Sequence, residues 1–592
     1  MSKEKDTSHL IYKEISKNFK LPISYDCDKM NLSENIVSDL ELIKSATVNN
    51  NSIYKTVFKP SNCFGETIIE LLPLQYTTNI KFLTDTQKII KKIKFSESSL
   101  STISTEIVTI WNSLRNDTGF IHKYSYIDYE KLYFLNEHIL FLQLKNLFGI
   151  VSPIISLLLP FIIMIIPFLV LKIQFKPITF ALYTQILGGL IAKHAIFKLF
   201  KLKSTDRLEE KVYAFGSVLV YFFTIYQNVM SCRSFYNNMH DIHEKIFKLQ
   251  DFINSTLLQS SIFLKTTEDI QTYTAFNTVL ISKMDVLKEI KSQIDIITPF
   301  ILNSKKLFSK SLQLGHIYSL FYKLHKNDKY NDAIIYSMGF QGYIDIINGL
   351  KISITNKNIN SISFIKNKSK SKFKNMFYAA ELASPELTYV RNNYKVSKNI
   401  LLTGVNASGK TTVLKSLVIN VLLSQQFGFG CFKSGNLYPF KHIHCYLNII
   451  DTSDRISLFQ TECKKCNELL EIVKKYPKET HLCVFDELFS GTNPEEAIIC
   501  GLNLLLYINK NKNVHYLLTT HFNDLCYKLE KEDINKKVMI TKKMYSLYDK
   551  NGNINHSFKL KNGINKIKGG VEILKKMNFP SEILNNITPF LI

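Results

Sequence analysis

Nine residues restrict this chain more than any others. Gly404-Val-Asn-Ala-Ser-Gly409-Lys410-Thr411-Thr412 follows the short apolar run Lys398–Thr403 and precedes a helical pattern over Val413–Ser424. The pattern G-x-x-x-x-G-K-T between a strand and a helix is the context that a phosphate-binding loop requires. Gly404 and Gly409 let the backbone curl so that its N–H groups point inward, and the following helix offers its positive dipole end. Val405, Asn406, Ala407, Ser408 and Thr412 complete the cradle. Lys410 would supply charge to the outer phosphates and Thr411 a hydroxyl to Mg²⁺. The expectation is an α/β P-loop NTPase domain that takes ATP with Mg²⁺.

A hydrolytic enzyme of this kind needs a second strand that ends in acid. His481-Leu-Cys-Val-Phe-Asp486-Glu487 is such a strand. Asp486 is expected to hold the metal, and Glu487 to orient and deprotonate the attacking water. A third apolar strand, Val514–Thr519, ends in Thr520-His521-Phe522, which brings His521 within reach of a γ-phosphate or that water. The expected catalytic group is therefore Lys410, Glu487 and His521, with Thr411 and Asp486 at the metal.

The chain has 592 residues, enough for about four domains. Its 74 Lys+Arg against 50 Asp+Glu leave a net charge of +24, which favours an anionic partner such as nucleic acid or lipid head groups without choosing between them. A general lysine bias of the coding sequence is the alternative. The 10 cysteines are scattered apart from Cys463 and Cys466, whose single C-x-x-C is weak evidence for zinc. The first twenty residues lack the apolar core of a signal peptide, so an intracellular location with reduced thiols is expected.

Residues 1–145 read as mixed and mostly helical, with an amphipathic acidic helix around Leu32–Ile43 and no chemical motif. Composition then shifts. Asn146–Leu171 carries no charge in 26 residues, with Pro153, Pro160 and Pro167 spaced by seven. That length spans a bilayer core, and prolines are tolerated in membrane helices. Pro177–Ala192 is uncharged for 16 residues and Val212–Cys232 for 21. Each run is either membrane-embedded or a buried helix of a large domain. A hairpin over 146–198 would leave both flanks on the cytosolic side, where the lysines between 193 and 211 should also lie. Residues 146–232 are thus the apolar region. Residues 233–375 form a helical core or lever domain, with stripes at Met239, Ile242, Ile246, Leu249 and Ile253 and at Val286, Leu287, Ile290, Ile294 and Ile297. The basic run Ser361–Lys374, with lysines at 366, 368, 370, 372 and 374, reads as a linker, a solvated anion-binding hairpin being the alternative. The ATPase domain is placed at 376–545.

The motifs together resemble the DNA mismatch repair MutS ATPases. The likeness lies in TGVNASGKTTVLKS (403–416), SLFQTECKKCNELL (457–470), VFDELFSGTNPEEA (484–497), LLTTHFNDL (517–525) and GGVEILKKMNFPSEILNN (569–586). Ser457-x-Phe459-x-x-Glu462 is the most discriminating, because it stands where transporter-type ATPases carry an LSGGQ-like sequence. The resemblance covers about 380–590, is compatible over 205–375 and is absent over 1–200. It implies paired ATPase domains in a homo- or heterodimer, with Ser457 reaching the γ-phosphate of the opposing site, and a C-terminal helical dimerisation extension over 546–592. Tyr389 would stack on adenine, a core aromatic being the alternative. It also implies double-stranded DNA, mismatched or branched, as partner and a clamp moved by ATP. The family's Gly-Pro-Asn-Met-Gly-Gly-Lys-Ser loop here has Val405, Ala407, Ser408 and Thr411. Its Gly-Arg after the acidic pair is Phe489-Ser490, and its Asp-Gly is Glu496-Ala497. No phosphate or metal ligand is lost, but no Phe-x-Glu mismatch wedge is recognisable near the N-terminus. A membrane-anchored mechanical or scaffolding ATPase that does not act on DNA is the alternative function.

Overall fold

Apolar runs of strand length and of helix length take different places in this protein. The computed structural model describes residues 13–46, 50–94, 100–174, 179–191, 208–297, 313–383, 390–447, 458–533, 538–548, 554–567 and scattered positions from 569 to 583. They divide into two compact units, one of residues 1–104, 258–283 and 335–592, the other of 105–257 and 284–334.

The second unit is helical. Its chief helices are α1 (Ile139–Ile173), α2 (Phe180–Ile191), most of α3 (Leu208–Thr267) and α4 (Leu314–Lys326). The expected stripe on α3 is its core face: Met239, Ile242, Ile246, Leu249 and Ile253 are all buried. Phe120 stacks on His325 at 3.8 Å and on Phe321 at 5.3 Å. The Trp111 indole N–H donates to Asn331 at 3.0 Å, as a buried indole requires. Among the described residues, two helices of the chain are long and apolar enough to cross a membrane, by length and composition alone.

The first unit is built on a six-stranded sheet. Its strands are β1 (Asn399–Thr403), β2 (His442–Tyr446), β3 (His481–Asp486), β4 (Val514–Thr520), β5 (Met539–Tyr548) and β6 (Ile554–Asn562), in the spatial order β2-β3-β4-β1-β5-β6. All neighbours are parallel except β5 and β6. Parallel strands are covered on both faces, which is why these runs are apolar throughout rather than alternating. Helix α5 (Lys410–Phe427) is buried almost along its whole length. Leu469 on α6 (Leu458–Lys475), Leu505 on α7 (Pro494–Ile508) and Leu525 on α8 (Asn523–Asp533) join one core with Leu401, Phe485 and Leu518.

Three sequence expectations meet a different arrangement. The division at 545/546 falls inside β5, and β6 extends the sheet to Asn562; alternating Lys and apolar residues there suit a half-exposed edge hairpin. The lysine run is no linker. Lys372–Met376 is a strand in a four-stranded sheet with 363–364, 434–437 and 392–395, because Phe373 and Met376 between the lysines are buried. Residues 1–104 do not stand apart as part of a 1–145 region either. Tyr54 donates to Gln426 at 2.7 Å, and Gln426 and Gln425 donate in turn to the carbonyls of Leu72 and Thr77, bracing α5. The acidic stretch forms only the short helix Glu34–Asp39, and Glu41 beyond it pairs with Lys415 of α5 at 2.7 Å.

Candidate nucleotide site

Strand register brings the separated motifs to one edge. Thr403 of β1 lies opposite Thr520 of β4, and Thr519 of β4 opposite Asp486 of β3. The residues just beyond each strand therefore emerge together at the carboxyl ends of a parallel sheet, where ligands of such folds bind. The loop from Gly404 to Gly409 turns there with Ala407 at φ +58° and Gly409 at φ +90°. A Cβ on Gly404 would meet the Ser408 hydroxyl at 2.7 Å and Met544 at 3.0 Å, so the first loop glycine is required by packing.

Lys410 is buried at the start of α5. Its ammonium donates to the carbonyls of Gly404 at 3.0 Å and Val405 at 3.4 Å, and lies 3.1 Å from His521 Nε2 and 3.5 Å from Glu487. Burial pushes its pKa down, against the opposing pull of Glu487 and Asp486. Glu487 and His521 are 2.6 Å apart. A contact that short needs a proton between ring and carboxylate, so His521 Nε2 donates to Glu487 and is not an acceptor for the Lys410 ammonium. The hydrogen bond from His521, with help from Lys410, holds the Glu487 carboxyl below the usual range.

Thr411 and Asp486, the pair expected at the metal, are also in contact. The Thr411 hydroxyl donates to Asp486 Oδ2 at 2.7 Å, and the Thr519 hydroxyl donates to Asp486 Oδ1. Glu487 sits at φ +52°, in the left-handed region that a non-glycine residue enters only when held there. Its backbone N–H is held by the Thr519 hydroxyl at 3.1 Å and carbonyl at 3.2 Å. Phe489 follows at φ +61°. Thr519 belongs to none of the expected site residues; a hydroxyl two residues before His521 on a central strand is the signal that marks it.

Glu462 explains much of the most discriminating segment. Its side chain is 2% exposed and accepts from the backbone N–H groups of Ser490 at 3.2 Å and Gly491 at 3.5 Å. Phe459 meets Phe489 edge-on at 5.7 Å. A Cβ on Gly491 would come within 2.9 Å of Leu458. The first turns of α6 thus clamp the loop that follows the acidic pair. Burial pushes the Glu462 pKa up, opposed by those N–H groups. Ser457 and Tyr389 lie outside the described residues, as do Lys193–Arg207 and most of 569–586.

Beside the loop is a cleft of about 460 Å³ lined mainly by Met376, Phe377, Tyr378, Val390, Val413 and Phe558. Asn392 fixes its wall, donating to the Phe558 carbonyl at 3.0 Å and accepting from Leu560 N–H at 2.9 Å. The Arg391 guanidinium lies over the Phe377 ring at 5.0 Å. Away from this edge, the thiols of Cys463 and Cys466 are free. Among the described residues no group of three or more His, Cys, Asp or Glu is placed to hold a metal ion.

Residues 400–591 match the family described as MutS domain V. A DNA mismatch repair protein MutS of Staphylococcus haemolyticus is 25% identical over 202 residues, 33% of this chain and 22% of its own. An endonuclease MutS2 of Lactobacillus helveticus is 32% identical over 127 residues, 21% of this chain and 16% of its own. A DNA mismatch repair protein MutS of Staphylococcus aureus is 22% identical over 274 residues, 45% of this chain and 30% of its own. The chain spans less than a third of the length of these curated relatives.

Proposed function

We infer that this C-terminal domain, similar to MutS domain V, binds ATP and hydrolyses it. The observation that carries the reading is the convergence of Lys410, Glu487 and His521 within 3.5 Å at one sheet edge. The inward-facing loop and α5 N-terminus suit the phosphates. The apolar cleft suits the adenine, with Phe377 and Tyr378 on its wall and Tyr389 as the further stacking candidate. The two hard oxygen donors Thr411 and Asp486, 2.7 Å apart, suit Mg²⁺. When bound, the ion neutralises phosphate charge. Lys410 leaves its loop carbonyls for the β- and γ-phosphates. Glu487, ionised at neutral pH, then orients the attacking water and takes its proton, while His521 fixes the carboxylate and reaches toward the γ-phosphate.

The family likeness extends the reading to DNA maintenance. Two of the relatives are named for DNA mismatch repair and one as an endonuclease, and the net charge of +24 suits a polyanion. In this reading two copies, or this chain and a related one, pair through their ATPase domains. Ser457, next to Leu458 at the start of α6, completes the opposing site, and ATP drives a clamp-like movement of helical levers on mismatched or branched duplex. A second reading, a mechanical ATPase at a membrane that ignores nucleic acid, is favoured by the exposed apolar side chains of α1 and α3.

Steady-state ATPase rates of the full-length protein in detergent test this, without DNA and with homoduplex, mismatched and branched DNA, using Glu487→Gln as blank. A rate changed most by one DNA structure, and less so at high salt, supports the DNA reading. A robust rate indifferent to every DNA supports the membrane task. Absence of turnover, with nucleotide binding unaffected by Lys410→Ala, overturns the ATPase assignment itself.

A further inference from the structure

We propose that α1 and the first half of α3 are the two legs of one hairpin that crosses a lipid bilayer twice. The contacts around α4 set their direction. Gly315 N–H donates to Gln143 at 2.8 Å and the Ser319 hydroxyl to the Glu137 carbonyl at 2.7 Å, so α1 runs antiparallel to α4 and leaves past its amino end. Phe235 lies 6.5 Å from Tyr318, whereas Phe321 packs on Tyr124 at 4.9 Å, and Tyr124 donates to Asp241 at 2.5 Å. Helix α3 therefore runs with α4, and its residues before Phe235 extend past the same amino end. Both legs rise from one platform, and Asn238 is tied to the Lys123 carbonyl at 2.8 Å. A chain that leaves a platform and returns to it crosses an even number of times.

The legs fit hydrocarbon rather than water or a protein groove. From Asn146 to Leu171 there are 26 uncharged residues, bounded by Lys145 and Lys172. From Val212 to Cys232 there are 21, bounded by Lys211 and Arg233. At about 1.5 Å per residue these measure about 39 Å and about 31 Å, against about 30 Å of bilayer core. The cations at both ends of each leg can snorkel to the head groups. None of the described side chains from Leu208 to Asn238 is buried, and Phe148, Ile155, Ile165, Phe222 and Tyr226 are each at least half exposed. Helix α2 is described over twelve residues, fewer than a crossing needs. Closure by α3 differs from the hairpin over 146–198 expected from hydropathy and sets Lys211, near the start of α3, on the far face, against the positive-inside tendency.

The membrane legs are independent of the nucleotide site, so ATP turnover in detergent and membrane topology fail separately. Full-length protein is inserted into preformed phosphatidylcholine–phosphatidylglycerol vesicles, washed in alkaline carbonate, floated, and treated outside with trypsin. The expected result is flotation after the wash, with one protected fragment from about Lys145 to about Arg233 whose lysines at 193–211 are cut only when detergent opens the vesicle. Cleavage at 193–211 in sealed vesicles overturns the proposal. So does failure to float, including the case of a detergent-free oligomer in which a second copy of this chain covers the legs.

Discussion

The parallel strands and the two long helices are written in the same aliphatic and aromatic residues, yet they meet opposite environments. Leu401, Leu402, Val484, Phe485 and Leu517 are each 0% exposed, whereas Phe148 is 74% and Val220 65% exposed. Apolar content does not separate them; run length and neighbours do. A strand needs only five to seven apolar residues between polar ends, and a sheet with helices on both faces covers it. A helix of more than twenty uncharged residues has no polar face to turn toward water, so it needs an apolar surround on every side.

Paired substitutions put the largest strain on that contrast. Leu518→Asp would bury an unpaired charge in the sheet and is expected to cost about 3–5 kcal/mol or to prevent folding. Phe222→Asp should leave ATP binding and the melting of the nucleotide unit unchanged, so equal losses in thermal melts would collapse the distinction. Glu487→Gln should keep nucleotide affinity while slowing turnover about 10²-fold, about 2.7 kcal/mol; unaltered turnover would remove Glu487 from the chemistry. Glu462→Ala leaves the N–H groups of Ser490 and Gly491 without their acceptor, a loss of about 1–3 kcal/mol in denaturant titration. A value near zero would mean that the loop does not depend on the clamp.

A pH dependence is expected at His515 on β4, whose ring nitrogens have no hydrogen-bond partner among the described residues and whose pKa burial pushes down from 6.5 to about 3. The folded protein keeps this ring neutral where the unfolded chain takes up a proton. Its contribution to stability is therefore flat above pH 6.5 and falls by about 1.4 kcal/mol per unit as pH drops toward 3. His515→Phe should flatten that part of a stability–pH curve; an unchanged slope would assign the acid sensitivity elsewhere.

The nucleotide loop and the acidic strand were legible because their chemistry is local: a few residues in a row fix the turn, the helix start and the carboxylates. The lysine-bearing strand 372–376 was hidden by charge, since the exposed face of a strand reads as linker when only the charged positions are counted, and the edge strand β6 was hidden because the resemblance assigns 546–592 to a helical extension. The brace from Tyr54 to Gln426, and the clamp from Glu462 to Ser490, depend on residues 372 and 28 positions apart. Periodicity carries no information on such pairs. The direction of α1 and α3 was equally out of reach, because it rests on which turn of α4 each one touches.

The three prolines of α1 have one more consequence. Each lacks the N–H that a helix would give to the carbonyl four residues back. The carbonyls of Gly149, Ser156 and Ile163 are thus left without that donor, one about every 10.5 Å along the rod. Seven-residue spacing aligns them along a single seam, and Pro153 and Pro167, which follow two of them, are buried. An otherwise featureless greasy cylinder thereby acquires an azimuth: one seam along it is marked by carbonyls that lack their helical donor.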